Sequence, residues 1–259
     1  MNMSRELQRA TFNRSALVRV LSDTLPEAPD PKYDFGERLG QWLDFSDALT
    51  LFSVLNTEAG KGTSTGQADS DLPAQLARLR RNLNDSIHND GVFSANTGTP
   101  ARIPFPTPLP NATPENAADF SPYHRYYLAH QRDMNAAITA LRANARKALA
   151  GQSAAGRQLA ELDAAFEKFL ADRERNLLAN IPIMLAKRFN QYYTEHRAAL
   201  PEGCTDDPAT WAQAGGWLEA FCQDAQTVLL TELELRLKPV TGLIAALGCA
   251  SETTETKPQ

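Results

Sequence analysis

The feature that most constrains the fold is a regular apolar stripe near the end of the chain, which includes LLTELELRLKPV at residues 229–240. Within this stretch leucines alternate with charged residues, which alone would be typical of a half-buried strand. Over a longer range, however, apolar residues recur every three or four positions: Leu218, Phe221, Ala225, Leu229, Leu233, Leu237, Val240, Ile244 and Leu247. These eight steps cover 29 positions, about 3.6 residues per step, which is the period of an α-helix. The sequence therefore predicts a C-terminal helix, which Pro239 either kinks or divides.

Five further segments show helical spacing, and each predicts a helix. They cover about residues 14–25, 35–55, 73–89, 121–151 and 153–199, and the last helix should begin near residue 208 and reach about Leu247. Leu49 and Phe52 belong to the predicted inward stripe of the second helix. Leu159 and Leu177 belong to the predicted inward stripe of the fifth helix. The predicted fold class is thus all-α, a bundle of about six helices whose last two form a long antiparallel hairpin across residues 201–208.

Prolines and glycines mark the predicted interruptions. Pro182 should bend the fifth helix, because proline has no N–H to donate and crowds the carbonyl of Leu178. Residues 57–71 are rich in Gly, Ser and Thr and predict a flexible loop. Six prolines fall between residues 100 and 114, so residues 92–120 predict an extended or disordered loop that divides the chain.

The predicted organisation therefore has four parts. An N-terminal helical part covers residues 1–91, and the Pro-rich loop covers residues 92–120. A long-helix part at residues 121–249 should pack with the N-terminal part as one domain, and residues 250–259 should form a flexible tail.

Composition excludes several classes of protein. The net charge is −5, and only residues 71–150 are basic, with 9 basic and 6 acidic side chains. This balance does not require a polyanion as partner. No window approaches 18 consecutive apolar residues, the chain starts without a secretory signal, and three widely spaced cysteines form no CxxC pair. We therefore expect a cytoplasmic protein without direct membrane insertion.

Catalytic, metal and cofactor motifs are weak, and the sequence predicts none of these sites. AGKGTSTG at residues 59–66 lacks the spacing of a phosphate-binding loop and has no strand before it. The four histidines have no metal-ligand spacing, and no GxSxG elbow is present. The prediction is a non-enzymatic protein without a cofactor, while an enzyme with an active site scattered through the fold remains an alternative.

A second alternative is association with nucleic acid. SPYHRYYLAHQR at residues 121–132 mixes tyrosines with basic residues, and Arg78, Arg80 and Arg81 could extend it into a surface that stacks on bases. The simpler interpretation, favoured by the acidic net charge, places Tyr123 and Tyr127 in the core and the charged residues on a solvated face.

Several blocks resemble a known family. RSALVRVLSDTL, ERLGQWLDFSDALTL, YHRYYLAHQRDM and above all DAQTVLLTELELRLKPVTGLIAAL are similar to an uncharacterised bacterial family of cytoplasmic proteins, known as a domain of unknown function. That family has no assigned catalytic residues. Its genes usually lie beside those of MotA/ExbB-like membrane proteins and OmpA-like peptidoglycan-binding proteins. The resemblance implies a cytosolic component of an envelope-spanning assembly, peripheral to the inner membrane through a partner.

These observations lead to a functional hypothesis. The chain is expected to be a helical adaptor that docks on a helical cytoplasmic region of a MotA/ExbB-like protein, with self-association as a further option. The wide apolar face of residues 218–247 motivates this hypothesis, because long helices not covered by the N-terminal part would expose apolar surface. The candidate partner-binding residues are Leu230, Leu235, Arg236, Tyr126 and Arg132.

Overall fold

The computed structural model describes residues 15–24, 44–56, 71–93 and 100–255. Eight α-helices lie in these ranges, and no residue within them forms a strand. The helices are α1 (Ala16–Thr24), α2 (Phe45–Asn56), α3 (Leu72–His88), α4 (Pro114–Ala117), α5 (Ser121–Gln152), α6 (Ala154–Leu178), α7 (Asn180–Ala199) and α8 (Trp217–Glu255). A 3₁₀ turn at Pro208–Thr210 lies between α7 and α8. The predicted all-α fold is confirmed.

Helix α8 lies at the centre of the bundle. It packs against α1, α3, α5, α6 and α7, and its buried side chains follow the predicted 3.6-residue stripe. Residues 229–240 are therefore helical, as predicted. Pro239 is exposed, and the helix continues through it, so Pro239 does not divide the helix. The helix also runs past the predicted end at Leu247 to Glu255, whereas residues 256–259 lie outside the described part of the chain.

The predicted fifth helix is two helices. Helix α6 ends at Leu178 and α7 begins at Asn180, because Pro182 cannot donate a backbone hydrogen bond to the carbonyl four residues earlier. That carbonyl, on Leu178, instead accepts a hydrogen bond of 3.2 Å from Nε2 of Gln131 on α5. A side chain from a neighbouring helix thus replaces the bond that proline removes, and it fixes the joint to the core.

The loop predicted to be extended or disordered at residues 92–120 has a defined path over residues 100–120, and residues 100–113 form neither helix nor strand. Phe105 is 3% exposed and lies among the aromatic rings of Tyr123, Tyr126 and Phe221, at centroid distances of 5.4, 5.3 and 6.3 Å. Its N–H donates to the carbonyl of Asp90 at 2.8 Å. A large aromatic side chain within the run therefore anchors it in the core, an effect that proline content does not reveal. Residues 94–99 lie outside the described ranges.

The second and fifth predicted helices differ most from expectation. Helix α2 begins at Phe45, and the part of the predicted helix at residues 35–43 lies outside the described part of the chain, as do residues 25–34 and 57–70. Helix α6 lies on the outside of the bundle, packed mainly against α5 and α2. Leu159 and Leu177, which were expected to face inward, are 39% and 56% exposed. The stripe on α6 is therefore exposed at these two positions, whereas Leu162, Phe166 and Leu170 between them are half-buried.

Candidate protein-interaction surface

Helix α2 exposes four large apolar side chains. Phe45 is 79% exposed, Leu49 52%, Phe52 64% and Leu55 57%. Their spacing of four, three and three residues places them on one side of the helix. We call these four side chains the α2 face. Leu49 and Phe52 were predicted to point inward, and the structure shows that this prediction is wrong.

The opposite side of α2 attaches it to α6. Asp47, Leu51 and Val54 are the half-buried residues of the helix, and at about 100° per residue they lie opposite the α2 face. Nε2 of Gln158 on α6 donates to the carbonyls of Val54 and Leu55, at 3.2 and 3.1 Å. These two carbonyls belong to the last turn, where no intrahelical donor remains. Gln158 therefore caps the C-terminal end of α2 and orients it.

The N-terminal end of α2 is fixed by a reciprocal cap. The N–H of Asp47 donates to Oδ1 of Asp44 at 2.7 Å, and the N–H of Asp44 reaches Oδ2 of Asp47 at 3.5 Å. This arrangement satisfies donors that the first helical turn leaves free, and the carboxylates also suit the positive end of the helix dipole. The cap explains why the helix begins at Phe45.

Helix α6, which carries α2, is itself held firmly on α5. Nε and Nη2 of Arg142 on α5 donate to both oxygens of Asp163 on α6, at 2.8 and 2.7 Å. Arg146 and Glu167 join the same cluster, and all four side chains are mostly buried. A bidentate, partly desolvated pair of this kind has more orientational specificity than a surface ion pair. Helix α2 is thus attached to a helix whose position on α5 is itself fixed by ion pairs.

The size of the α2 face is notable for a surface feature. With ~200 Å² for a side chain of this size, the four exposed fractions amount to roughly 500 Å² of apolar surface. The largest patch on a typical monomer is about 300–600 Å² and is often functional. Single exposed apolar residues are ordinary, but four on one helix side are not scattered. The α2 face is therefore the strongest candidate binding surface among the described residues.

The five predicted partner-binding residues do not form one surface. Leu230 and Leu235 are half-buried and pack against the core, and Tyr126 is 5% exposed. Arg236 is 11% exposed at its side chain and donates from Nε to Glu232 at 2.8 Å. Of the five, Arg132 is the one exposed residue. The apolar face of residues 218–247, which motivated their choice, is covered by neighbouring helices of the chain itself.

Glu232 organises a buried polar cluster between α5 and α8. Its carboxylate is fully buried and accepts hydrogen bonds from Oη of Tyr127 at 2.7 Å, Nε2 of Gln131 at 3.0 Å and Nε of Arg236 at 2.8 Å. Burial, together with the adjacent Glu232 carboxylate, raises the pKa of Tyr127 well above its ordinary value, so its hydroxyl remains a donor. Every group in this cluster has a partner inside the protein. The cluster therefore positions helices and leaves no group free for a ligand.

Cys222 and His130 lie in the core. Cys222 is 1% exposed, and burial next to Asp90 raises the pKa of its thiol, so it is not a thiolate nucleophile. Burial and the charge of Arg102 lower the pKa of His130 to about 4. The described residues contain no group of three His, Cys, Asp or Glu side chains that could hold a metal ion. None of the described helices is both long and apolar enough to cross a membrane.

The tyrosines needed for base stacking are also buried. Tyr123, Tyr126 and Tyr127 are 4%, 5% and 1% exposed, so they form the core, as the simpler interpretation of this segment predicted for two of them. Arg80 forms an ion pair with Glu234 at 3.2 Å. The rings of these three tyrosines are therefore not accessible for stacking on bases.

The sequence did contain a signal for the α2 face. FSDALTLFSVLN has apolar residues on both sides of the helix and a single charged residue. A helix that is apolar all round must be covered on all sides or bind something. The periodicity of the segment predicted a stripe, but it could not say which side of the helix α6 would cover, and the predicted inward residues Leu49 and Phe52 are exposed.

Comparisons with known proteins place the chain in a family but do not supply a function. A search of the curated proteins and a search of the solved structures gave no significant match. The family described as "Protein of unknown function (DUF3348)" matches residues 3–249, which is nearly the whole chain. The chain therefore belongs to the DUF3348 family.

Proposed function

We propose that this protein is a non-enzymatic helical adaptor that binds a helix of a partner protein through the α2 face. The observation that carries the proposal is the set of four apolar side chains, 52–79% exposed, on one side of a capped and anchored helix. Amphipathic helices commonly recognise such surfaces through apolar residues at three- and four-residue spacing. The partner helix buries the α2 face, in the way that other helices of the chain bury the apolar face of α8.

The size of the α2 face favours a helical partner over simple pairing of two α2 helices. A stable, specific interface buries about 800 Å² on each side, whereas the α2 face offers roughly 500 Å². Two copies that meet only through this face would therefore bind weakly. A partner helix that lies along α2 and also contacts the exposed Leu159 on α6 would bury more surface.

The proposed partner is a helical cytoplasmic region of a MotA/ExbB-like membrane protein in an envelope assembly that includes an OmpA-like protein. The implied gene neighbourhood of the family supports this choice of partner. The adaptor would then be cytoplasmic and peripheral to the inner membrane through that partner. It needs no cofactor for this function.

Co-purification with the neighbouring MotA/ExbB-like protein tests the proposal. We expect the wild-type chain to retain this protein, and Phe52→Ser to lose it, since the substitution removes a large apolar group from the α2 face. Leu109→Ser is the matched control, because Leu109 is 77% exposed but lies in the Pro-rich segment. Retention by Phe52→Ser, or equal loss with Leu109→Ser, would contradict the proposed surface. Absence of retention by the wild-type chain, together with a stable monomer at micromolar concentration, would contradict the proposed function.

A further inference from the structure

Alternating prolines fix the backbone of residues 103–110, which we call the polyproline segment. Prolines stand at positions 104, 106, 108 and 110, so every residue of the segment is a proline or precedes one. The proline ring fixes φ at about −65°, and the residue before a proline is restricted to extended or polyproline II conformations. The segment forms neither helix nor strand. Its sequence therefore gives it the backbone of a polyproline II helix.

The exposure of the side chains follows the period of such a helix. A polyproline II helix has three residues per turn, so residues three apart lie on one side. Pro104, Thr107 and Pro110 are all exposed. On another side, Phe105 is buried and Pro108 is half-buried. The segment therefore lies with one side on the core and another side in solvent.

Both ends of the polyproline segment are held by the fold. The ring of Phe105 lies in the core, and its N–H donates to the loop after α3 at 2.8 Å. At the other end, the N–H of Ala112 donates to the carbonyl of Leu109 at 3.0 Å, and Asn111 has a φ of 64°. Pro110 followed by a residue with positive φ is typical of a type II turn. The segment is thus preformed, which reduces the conformational entropy that a binding partner must remove.

The exposed end of the segment offers apolar surface and backbone acceptors. Leu109 and Pro110 form the one pair of a residue and its following proline within the segment in which both members are exposed, and Leu109 is 77% exposed. Among the described residues, no donor binds the carbonyls of Thr107 and Pro108. These two acceptors lie directly before the Leu109-Pro110 pair. The pair and the acceptors together are available to one partner.

We infer that the polyproline segment binds a protein domain with an aromatic-lined groove for polyproline II helices. Such grooves exploit the preformed, low-entropy conformation of the segment. Leu109 and Pro110 pack on the aromatic rings, and the carbonyl of Pro108 accepts a hydrogen bond from a Trp or Tyr side chain of the groove. Since no two prolines of the segment are three residues apart, the groove reads this single pair rather than a PxxP pattern. The segment carries no charged side chain, which argues against a polyanion or an anionic membrane as the occupant.

This inference goes beyond the proposed function, since the polyproline segment shares no residue with the α2 face. The probe is a WW domain that binds polyproline peptides, and NMR spectra of the isotope-labelled domain are recorded as the full chain is added. We expect shifts at the residues of the aromatic groove, a Kd below about 1 mM, and displacement of the chain by a decaproline peptide. Pro110→Ala and Leu109→Ser should each weaken binding about tenfold. Pro201→Ala is the matched control, because Pro201 is exposed but lies outside the segment.

Several outcomes would overturn the inference. They are no binding up to about 1 mM, shifts outside the aromatic groove, unchanged binding of both segment variants, or an equal loss with Pro201→Ala. Leu109→Ser leaves Pro110 in place, so it remains informative if Pro110→Ala disturbs the turn. Phe52→Ser should bind the WW domain as the wild-type chain does, and Leu109→Ser should still retain the MotA/ExbB-like protein. Failure of the polyproline segment and failure of the α2 face can therefore be distinguished.

Discussion

Replacement of Glu232 by alanine should destabilise the protein strongly. Glu232 is fully buried and is the shared acceptor for Tyr127, Gln131 and Arg236. The substitution leaves the Arg236 guanidinium, which is 11% exposed, with only Glu174 at 3.7 Å as a charged partner. Removal of one member of a buried ion pair costs about 3–5 kcal/mol. We therefore expect the free energy of unfolding to fall by about 4 kcal/mol, a large part of the 5–15 kcal/mol of a typical domain.

Urea unfolding at neutral pH measures this change, and the chain provides a matched control. Glu234 lies two residues away on α8 and pairs with Arg80 at 3.2 Å, but its side chain is 51% exposed. Glu234→Ala should therefore cost less than about 1 kcal/mol. The double variant Glu232→Met, Arg236→Met should recover part of the loss of Glu232→Ala, because no unpaired charge stays buried.

The result that would refute this reasoning is a similar small loss for both alanine variants. Glu232→Ala would then cost about as little as an exposed ion pair, and the buried cluster would not hold α5 against α8. A double variant less stable than Glu232→Ala would likewise contradict the idea that the unpaired guanidinium causes the loss.

Three further predictions follow from the core and the helix ends. Gly156→Ala should lower the free energy of unfolding by about 2–4 kcal/mol in urea, since its Cβ would lie 2.3 Å from the carbonyl oxygen of Leu149, and unchanged stability would contradict this close approach. His130 has a pKa lowered from 6.5 to about 4, so the folded protein binds its proton less well than the unfolded chain. Its contribution is fully present above pH 6.5 and is lost as the pH falls towards 4, by up to about 3 kcal/mol. His130→Gln should therefore lose less stability than the wild-type chain between these pH values in urea titrations, and an equal loss would argue against the assignment. In the native protein a thiol reagent should modify the exposed Cys204 and Cys249 rapidly and Cys222 only on unfolding, and rapid modification of all three would show that Cys222 is accessible.

The sequence predicted those elements whose pattern is decided locally. The stripe of α8 was visible because nine residues keep a 3.6-residue period, and burial on several sides follows from its extra leucines. The consequence of Pro182 was predicted as a bend, but the structure separates two helices there. The difference depends on Gln131, which lies 47 residues before Leu178 and which no local pattern connects to that carbonyl.

The candidate surface could not be located from the sequence for a similar reason. Periodicity shows that a helix such as α2 has apolar residues, but the choice of covered side depends on contacts with a distant helix. For α2 this distant helix is α6, whose Gln158 binds the last turn of α2 and lies more than 100 residues further along the chain. Phe105 is the reverse: its Pro-rich segment was expected to lie outside the core, but its ring packs in the core against Tyr123 and Tyr126. In both cases tertiary contacts decide what local composition leaves open.

The most direct test of the central claim is site-specific photocross-linking in the complex with the MotA/ExbB-like partner. A photoreactive phenylalanine analogue at position 52 lies on the α2 face, and the same analogue at position 51 points towards α6. We expect a cross-link to the partner from position 52 and an internal cross-link to α6 from position 51. A partner cross-link from position 109 in the Pro-rich segment, with none from position 52, would contradict binding through the α2 face.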